Sequence, residues 1–261
     1  SRPRPGGPGE APAARAPRGC GSAPRINEGI GRRIMRIGDS LSGKRVLITQ
    51  ADEFMGPVLA DTFRAHGAVV IADTRVLDSG AAGEAAVRDA GTVDVLIANL
   101  GVPAPSTRAH QIGDDEWRHV FAHVVDPLPG LARGVLPQML ARRSGKFVVM
   151  GSSTAFRGQK RTATYSSARS AQVGFVRAVG TEVAPDNVHV NLIAQNFIEN
   201  PMYYGPEVQA LPAFQERLKR EVPAGRLGTP QEDALFAVFL ASSEVNFFAG
   251  QSIPFSGGWA T

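Results

Sequence analysis

The chain has 261 residues, 43% hydrophobic and 20% charged, which is enough for one globular domain with a sizeable core. No apolar run reaches the ~18 residues needed to cross a bilayer, so a soluble, cytoplasmic protein without a membrane partner is expected. The net charge of +4 is concentrated at the start: residues 1–40 hold eight Arg against three acids, while the rest holds 20 basic and 21 acidic side chains, which excludes a basic body stripe for nucleic acid.

In chain order, residues 1–33 are rich in Pro, Gly, Ala and Arg and nearly free of large apolar side chains. Such a segment cannot offset its ordering entropy, and it lacks the apolar core of a secretory signal. Residues 1–40 therefore read as a disordered N-terminal segment ahead of a catalytic domain over 41–261, with Met35 as an alternative start. An organelle transit peptide or a nucleic-acid-binding arm is the rival reading of this segment. Cys20 is the only cysteine, so an internal disulfide and a cysteine metal cluster are excluded.

"KRVLITQ" (44–50) predicts a buried strand, and "PVLADTFRAHG" a helix closed by Gly. "AVVIAD" (68–73) predicts a second strand, "GEAAVRDAG" (83–91) a short helix and "VDVLIAN" (93–99) a third strand. Residues 114–143 read as one long helical stretch bent near Pro127. "GKFVVMGS" (145–152) is a fourth strand, residues 164–185 a helix, and "VHVNLIAQ" (188–195) a fifth strand. A loop-rich region, a helix over 229–244 and a last strand, "QSIPFS", complete the chain. Helices alternating with unbroken apolar strands predict a single α/β domain, a Rossmann-like doubly wound parallel sheet in three α/β/α layers. Ligands of such sheets bind beyond the strand carboxyl ends. Asn99, Ser152, Gln195 and the loop after Thr49 fall there.

Asn99 and Gly101, the Ser152–Tyr165 spacing of thirteen and the "FFAGQSIPFSGGW" ending together resemble the short-chain dehydrogenase/reductase superfamily over residues 44–259. Nicotinamide-using members carry Thr-Gly-x-x-x-Gly-x-Gly after the first strand, where glycines let backbone approach the pyrophosphate. This chain has "TQADEFMG", with Gln50 and Phe54 in place of two glycines, and a Phe54 ring projects into the dinucleotide's volume. Asn99 follows Asp73 so closely that a strand and helix of the nucleotide-binding half are missing, which leaves Asp73 an inherited strand-end residue rather than a ribose ligand. Arg169 stands four residues after Tyr165, on the same helix face, where cofactor-using members have Lys.

Ser152, Tyr165 and Arg169 with an altered glycine loop resemble the halohydrin dehalogenases, cofactor-independent relatives in that superfamily. The resemblance implies reversible conversion of vicinal haloalcohols to epoxides plus halide, and epoxide opening by azide, cyanide or nitrite. It implies Tyr165 as base, Arg169 as its activating cation and Ser152 as anchor of the substrate oxygen. It implies a halide site from Phe54, Gln195, Asn196, Phe197 and Ile198, although Gln195 replaces a Pro usual in that loop. Tyr203 and Tyr204 become pocket walls, Thr154 faces substrate, and no cofactor or metal is needed. The expected partners are a haloalcohol or epoxide and a small anion, and the expected assembly is a homotetramer.

The chemistry agrees with these residue types. A free phenol ionises near pH ~10, and one nearby cation lowers such a value by ~1–3 units, so activity is expected to rise from neutral pH to above pH ~8. Ring edges and backbone N–H groups are suitable weak donors for a departing halide. Asn99 reads as a brace for the sheet, and His119 and His123 as packing residues without a third ligand. Two other readings stay open. One is a divergent NAD(P)-dependent reductase, and the other a catalytically silent scaffold that would have no need of the Ser–Tyr–Arg set.

Overall fold

A computed structural model describes residues 36–261. The expectation of disorder over residues 1–35 and the alternative start at Met35 lie outside the described residues; residues 36–40 are described, and Asp39–Leu41 form a short 3-10 turn.

The sheet has six parallel strands, β1 (Arg45–Ile48), β2 (Val69–Ala72), β3 (Val95–Asn99), β4 (Gly145–Ser152), β5 (Val188–Gln195) and β6 (Ser252–Phe255), in the order β2-β1-β3-β4-β5-β6. The chain reverses its winding between β1 and β3, the place where open α/β sheets form their ligand crevice. No further strand pairs with β2 among the described residues, in keeping with the short spacing between Asp73 and Asn99. β2 consequently is an edge strand with a half-exposed face, Val69 being 49% exposed, rather than buried on both sides as its apolar run predicts. β3 and β4 are buried throughout, and β5 over all but its last residue.

Two apolar layers sandwich the sheet. On one face α2 (Gly80–Ala90), α4 (Pro127–Ala141) and α5 (Ala163–Val183) pack around Leu96, Leu131, Phe147 and Val190. On the other, α1 (Gly56–Ala65) and α9 (Pro230–Ala241) pack around Ile48, Phe63, Ile97 and Val238. The α2–α4 contact is close enough that a Cβ on Gly130 would meet the Gly80 carbonyl oxygen at 1.7 Å.

The stretch 114–143 is two helices and not one bent helix. α3 (Asp114–Val124) ends where Val125 N and Asp126 N both donate to the Phe121 carbonyl, at 2.9 and 3.0 Å, and Pro127 opens α4 at its first position. Proline has no N–H to continue the earlier ladder and is pre-set for a new first turn. The region expected as loop contains short turns α6 (Pro201–Tyr204) and α7 (Pro206–Gln209) and a full helix, α8 (Pro212–Glu221). α8 buries only Phe214 and Leu218, so its apolar signal is one i, i+4 pair among charges.

α9 begins with a capping box. Thr229 accepts from Glu232 N through its hydroxyl, and Glu232 accepts from Thr229 N. Thr229→Ala is expected to lower stability by about 1 kcal/mol, read from the midpoint of urea unfolding; an unchanged midpoint would show that the cap contributes nothing.

Candidate active site

The β4–β5 register places Ser152 beside Gln195 at the carboxyl edge of the sheet, and Gln195 beside Phe255 of β6. Beyond this edge lies a cavity of about 330 Å³. All eleven residues expected at a catalytic, halide or substrate site line it: Ser152, Tyr165 and Arg169; Phe54, Gln195, Asn196, Phe197 and Ile198; and Thr154, Tyr203 and Tyr204. Sequence reasoning did not single out Met150 or Lys160, which also line it. Lys160 and Arg169 are the charged side chains of this lining, which contains no carboxylate among the described residues.

Ser152 is buried, and its Oγ lies 3.0 Å from Thr154 Oγ1. The chain turns sharply there because Ser152 Oγ also accepts from Thr154 N at 3.3 Å. Arg169 reaches from α5 towards the cavity with its guanidinium 4.9 Å from the centre of the Tyr165 ring. Its Nη1 donates to the Met150 carbonyl at 3.1 Å and to Gln172 Oε1 at 3.0 Å. Gln172, itself buried, is fixed by donating Nε2 to the Val124 carbonyl at 2.8 Å. Arg169 is only 6% exposed, has no carboxylate partner among the described residues, and leaves Nε without an acceptor. A buried cation in that condition favours a negative neighbour.

All three tyrosines of the chain lie on the cavity. Burial pushes the Tyr203 hydroxyl up and that of Tyr204 up to about 12. Both therefore stay protonated and act as donors and walls. Tyr203 spans the mouth, its hydroxyl accepting from Ala104 N at 3.0 Å. Tyr204 stacks on Phe197 at 5.7 Å, and Phe197 meets the Trp259 ring at 5.9 Å, so Trp259 supports the loop from behind within its own chain.

The loop after β1 keeps the backbone shape of a glycine loop without its glycines. Gln50 and Phe54 have φ of 43° and 50°, in the left-handed region that glycine favours. Gln50 is buried and clasps Gly101, accepting from Gly101 N at 2.7 Å and donating to its carbonyl at 3.2 Å. The Phe54 ring lies so close to Gly101 that a Cβ there would meet it at 3.0 Å. Asn99 braces this loop rather than the sheet, donating to the carbonyls of Gln50 and Glu53 at 2.9 and 3.1 Å, and it also lines the cavity. Asp73 spends its carboxylate on Arg75, with Nε at 2.8 Å. A nicotinamide dinucleotide needs bare backbone at the pyrophosphate, where this chain carries the side chains of Gln50 and Phe54. These residues do not fit one.

The His119 and His123 rings pack 4.4 Å apart, and no group of three or more potential metal ligands gathers among the described residues. Among the described residues no helix is long and apolar enough to cross a membrane.

A parallel sheet of this order with a serine at the end of β4 and a tyrosine on the following helix defines the class. The enoyl-(acyl carrier protein) reductase family profile matches residues 26–260, and the chain belongs to this family of the short-chain dehydrogenase/reductase superfamily. It is 30% identical over 246 residues to a 3-oxoacyl-(acyl-carrier-protein) reductase of Vibrio harveyi, covering 84% of this chain and 98% of that protein. A solved dehalogenation enzyme superposes with a TM-score of 0.77 at 28% identity, covering 85% of this chain and all of the other. A gluconate 5-dehydrogenase from Burkholderia cenocepacia, solved with NADP and tartrate, shares the fold with a TM-score of 0.77 at 23% identity, over 85% of this chain and 97% of the other.

Proposed function

We propose that the protein is a cofactor-independent halohydrin dehalogenase. The observation that carries the reading is the combination at β1 and α5. Gln50 and Phe54 fill the crevice that a dinucleotide needs, while Tyr165 stays paired with a buried guanidinium that has no carboxylate of its own among the described residues.

In this reading Ser152 donates to the substrate oxygen and Tyr165, as phenolate, takes its proton. The freed oxygen attacks the adjacent carbon as the carbon–halogen bond breaks, giving the epoxide and a halide ion. The tether supplies much of the acceleration, since intramolecular attack avoids bringing two partners together. The anion leaves into the space between Phe54 and the Gln195–Ile198 loop. There Asn196 is held by Phe197 N and the Tyr204 hydroxyl, at 2.9 and 3.4 Å, and Phe197 adopts a left-handed φ of 54°. Run backwards, the same geometry opens an epoxide with halide, azide, cyanide or nitrite, and the cations of the lining favour entry of such anions. A homotetramer in the cytoplasm remains part of the proposal. So does a site needing neither cofactor nor metal.

The second reading is a ketone reductase using NAD(P)H, favoured by the likeness to 3-oxoacyl-(acyl-carrier-protein) reductase. One experiment separates the two. The protein is incubated with a vicinal bromoalcohol in the absence of NAD(P), and bromide and epoxide are measured in parallel with NADPH oxidation on a 3-oxoacyl thioester. Equimolar bromide and epoxide support the dehalogenase, and thioester-dependent NADPH consumption without bromide release overturns it.

A further inference from the structure

One buried carboxyl next to the cavity has no part in the reaction as derived. Asp233 lies in the first turn of α9 and is 0% exposed. Its Oδ2 accepts from Nε2 of Gln195, while its Oδ1 takes no donor among the described residues. Gln195 is the last residue of β5, opens the loop assigned to the anion and lines the cavity. Its own carbonyl oxygen receives no hydrogen bond from the described residues.

Among the described residues the surroundings of Asp233 contain no counter-charge for it. On α9, Glu232 is exposed and paired with Arg226 at 2.6 Å. On α1, Asp61 and Arg64 pair with each other in solvent, and His66 follows at the far end. Lys146 of β4 and His189 of β5 stand at the opposite end of those strands. Glu199 of the loop is exposed, and Arg169 is held at Met150 and Gln172. Burial pushes the Asp233 carboxyl up to about 7, and the Gln195 bond opposes that rise. The carboxyl is therefore neutral below this value and charged above it.

An ionised carboxylate only accepts, whereas a carboxylic acid also donates one hydrogen bond. The Gln195 amide has one donor end and one acceptor end. When Asp233 is charged it must hold the NH2 end, leaving the carbonyl end for the cavity, which repels an anion. When Asp233 is protonated it can donate to the carbonyl end, and a half-turn of the amide frees the NH2 end.

We propose that Asp233 is a positioning residue that decides, through Gln195, whether the wall of the anion site offers a donor or an acceptor, so that small anions bind together with one proton drawn from solvent. This rests on the dehalogenase reading, because it places the anion at Gln195.

The test is calorimetric titration of the full chain with bromide between pH 6 and 8, in two buffers of different ionisation heat so that bound protons are counted. Bromide affinity is expected to fall about tenfold across this interval, the ratio for one linked proton with its midpoint near 7, with proton uptake on binding. The slope should persist in Tyr165→Phe, which removes the phenol hydroxyl from the cavity. It should vanish in Asp233→Asn, whose amide pairs with Gln195 at any pH, and in Gln195→Leu, which binds bromide only as weakly as the wild type does at pH 8. Should Asp233→Asn fail to fold, Gln195→Leu carries the same comparison, since Gln195 is partly exposed. A flat wild-type affinity, or a slope retained in Gln195→Leu, overturns this inference and leaves the dehalogenase reading standing if the bromoalcohol is turned over. If bromide is neither bound nor released at any pH, both fall.

Discussion

Tyr165→Phe is expected to abolish bromide release from a vicinal bromoalcohol, with kcat/KM falling by about 10²–10⁴, the range associated with loss of a general base. The substitution removes one oxygen and leaves the ring under Arg169, whose guanidinium sits 4.9 Å from the ring centre. Folding and bromide affinity should therefore survive. Tyr203→Phe and Tyr204→Phe serve as controls. Both hydroxyls are pushed up by burial and act as donors or walls, so their loss should change KM more than kcat. If Tyr165→Phe keeps more than a tenth of the wild-type rate, another group takes the proton and the reading of α5 fails.

Arg169→Met should be nearly as damaging, for a different reason. The methionine roughly fills the guanidinium's volume but removes the charge beside Tyr165. Activity is expected to drop by about 10²–10³, the scale of losing one preorganised electrostatic stabiliser of the transition state. The loss should fall on kcat more than on KM, which is the signature to look for. Stability responds with mixed sign. The Met150 carbonyl and Gln172 Oε1 lose their donor, at about 1–3 kcal/mol for an unsatisfied buried group, while an unpaired buried cation disappears. A loss of less than threefold in kcat would mean that Arg169 only holds β4 in place. Arg169→Lys probes the geometry: an ammonium keeps the charge but cannot satisfy Met150 and Gln172 with a planar fork.

What could be read from the sequence follows from how local its causes are. The strands β3, β4 and β5 are continuous apolar runs, so their ends, and with them Asn99, Ser152 and Gln195, could be placed before any coordinates. The spacing of Tyr165 and Arg169 on one helix face is likewise a local property. The break between α3 and α4 was legible only as a bend, because the sequence marks Pro127 but not the two N–H groups that both turn back to Phe121. α8 was missed because two buried side chains among charges make a weak stripe. The edge position of β2 depends on which strands pair, which no single run of residues encodes. Gln50 was legible as a lost glycine, but its grip on Gly101 joins positions fifty-one apart. Asp233 shows the same limit. An acid at the head of the apolar run 234–241 reads as a favourable first-turn charge, and only the fold puts Gln195 against it.

In the dehalogenase reading, the loop following β1 has a further implication. Gln50 and Phe54 hold dihedral angles that disfavour side chains by about 1–2 kcal/mol each, so the main chain there still traces the path of a nucleotide cradle. A route between the two chemistries would need no rebuilding of this turn itself, only exchange of what projects from it; the segment missing beyond β2 among the described residues is a separate matter. Restoring glycine at both positions would relieve conformational tension and empty the crevice at once, which makes this short turn a natural starting point for directed conversion in either direction.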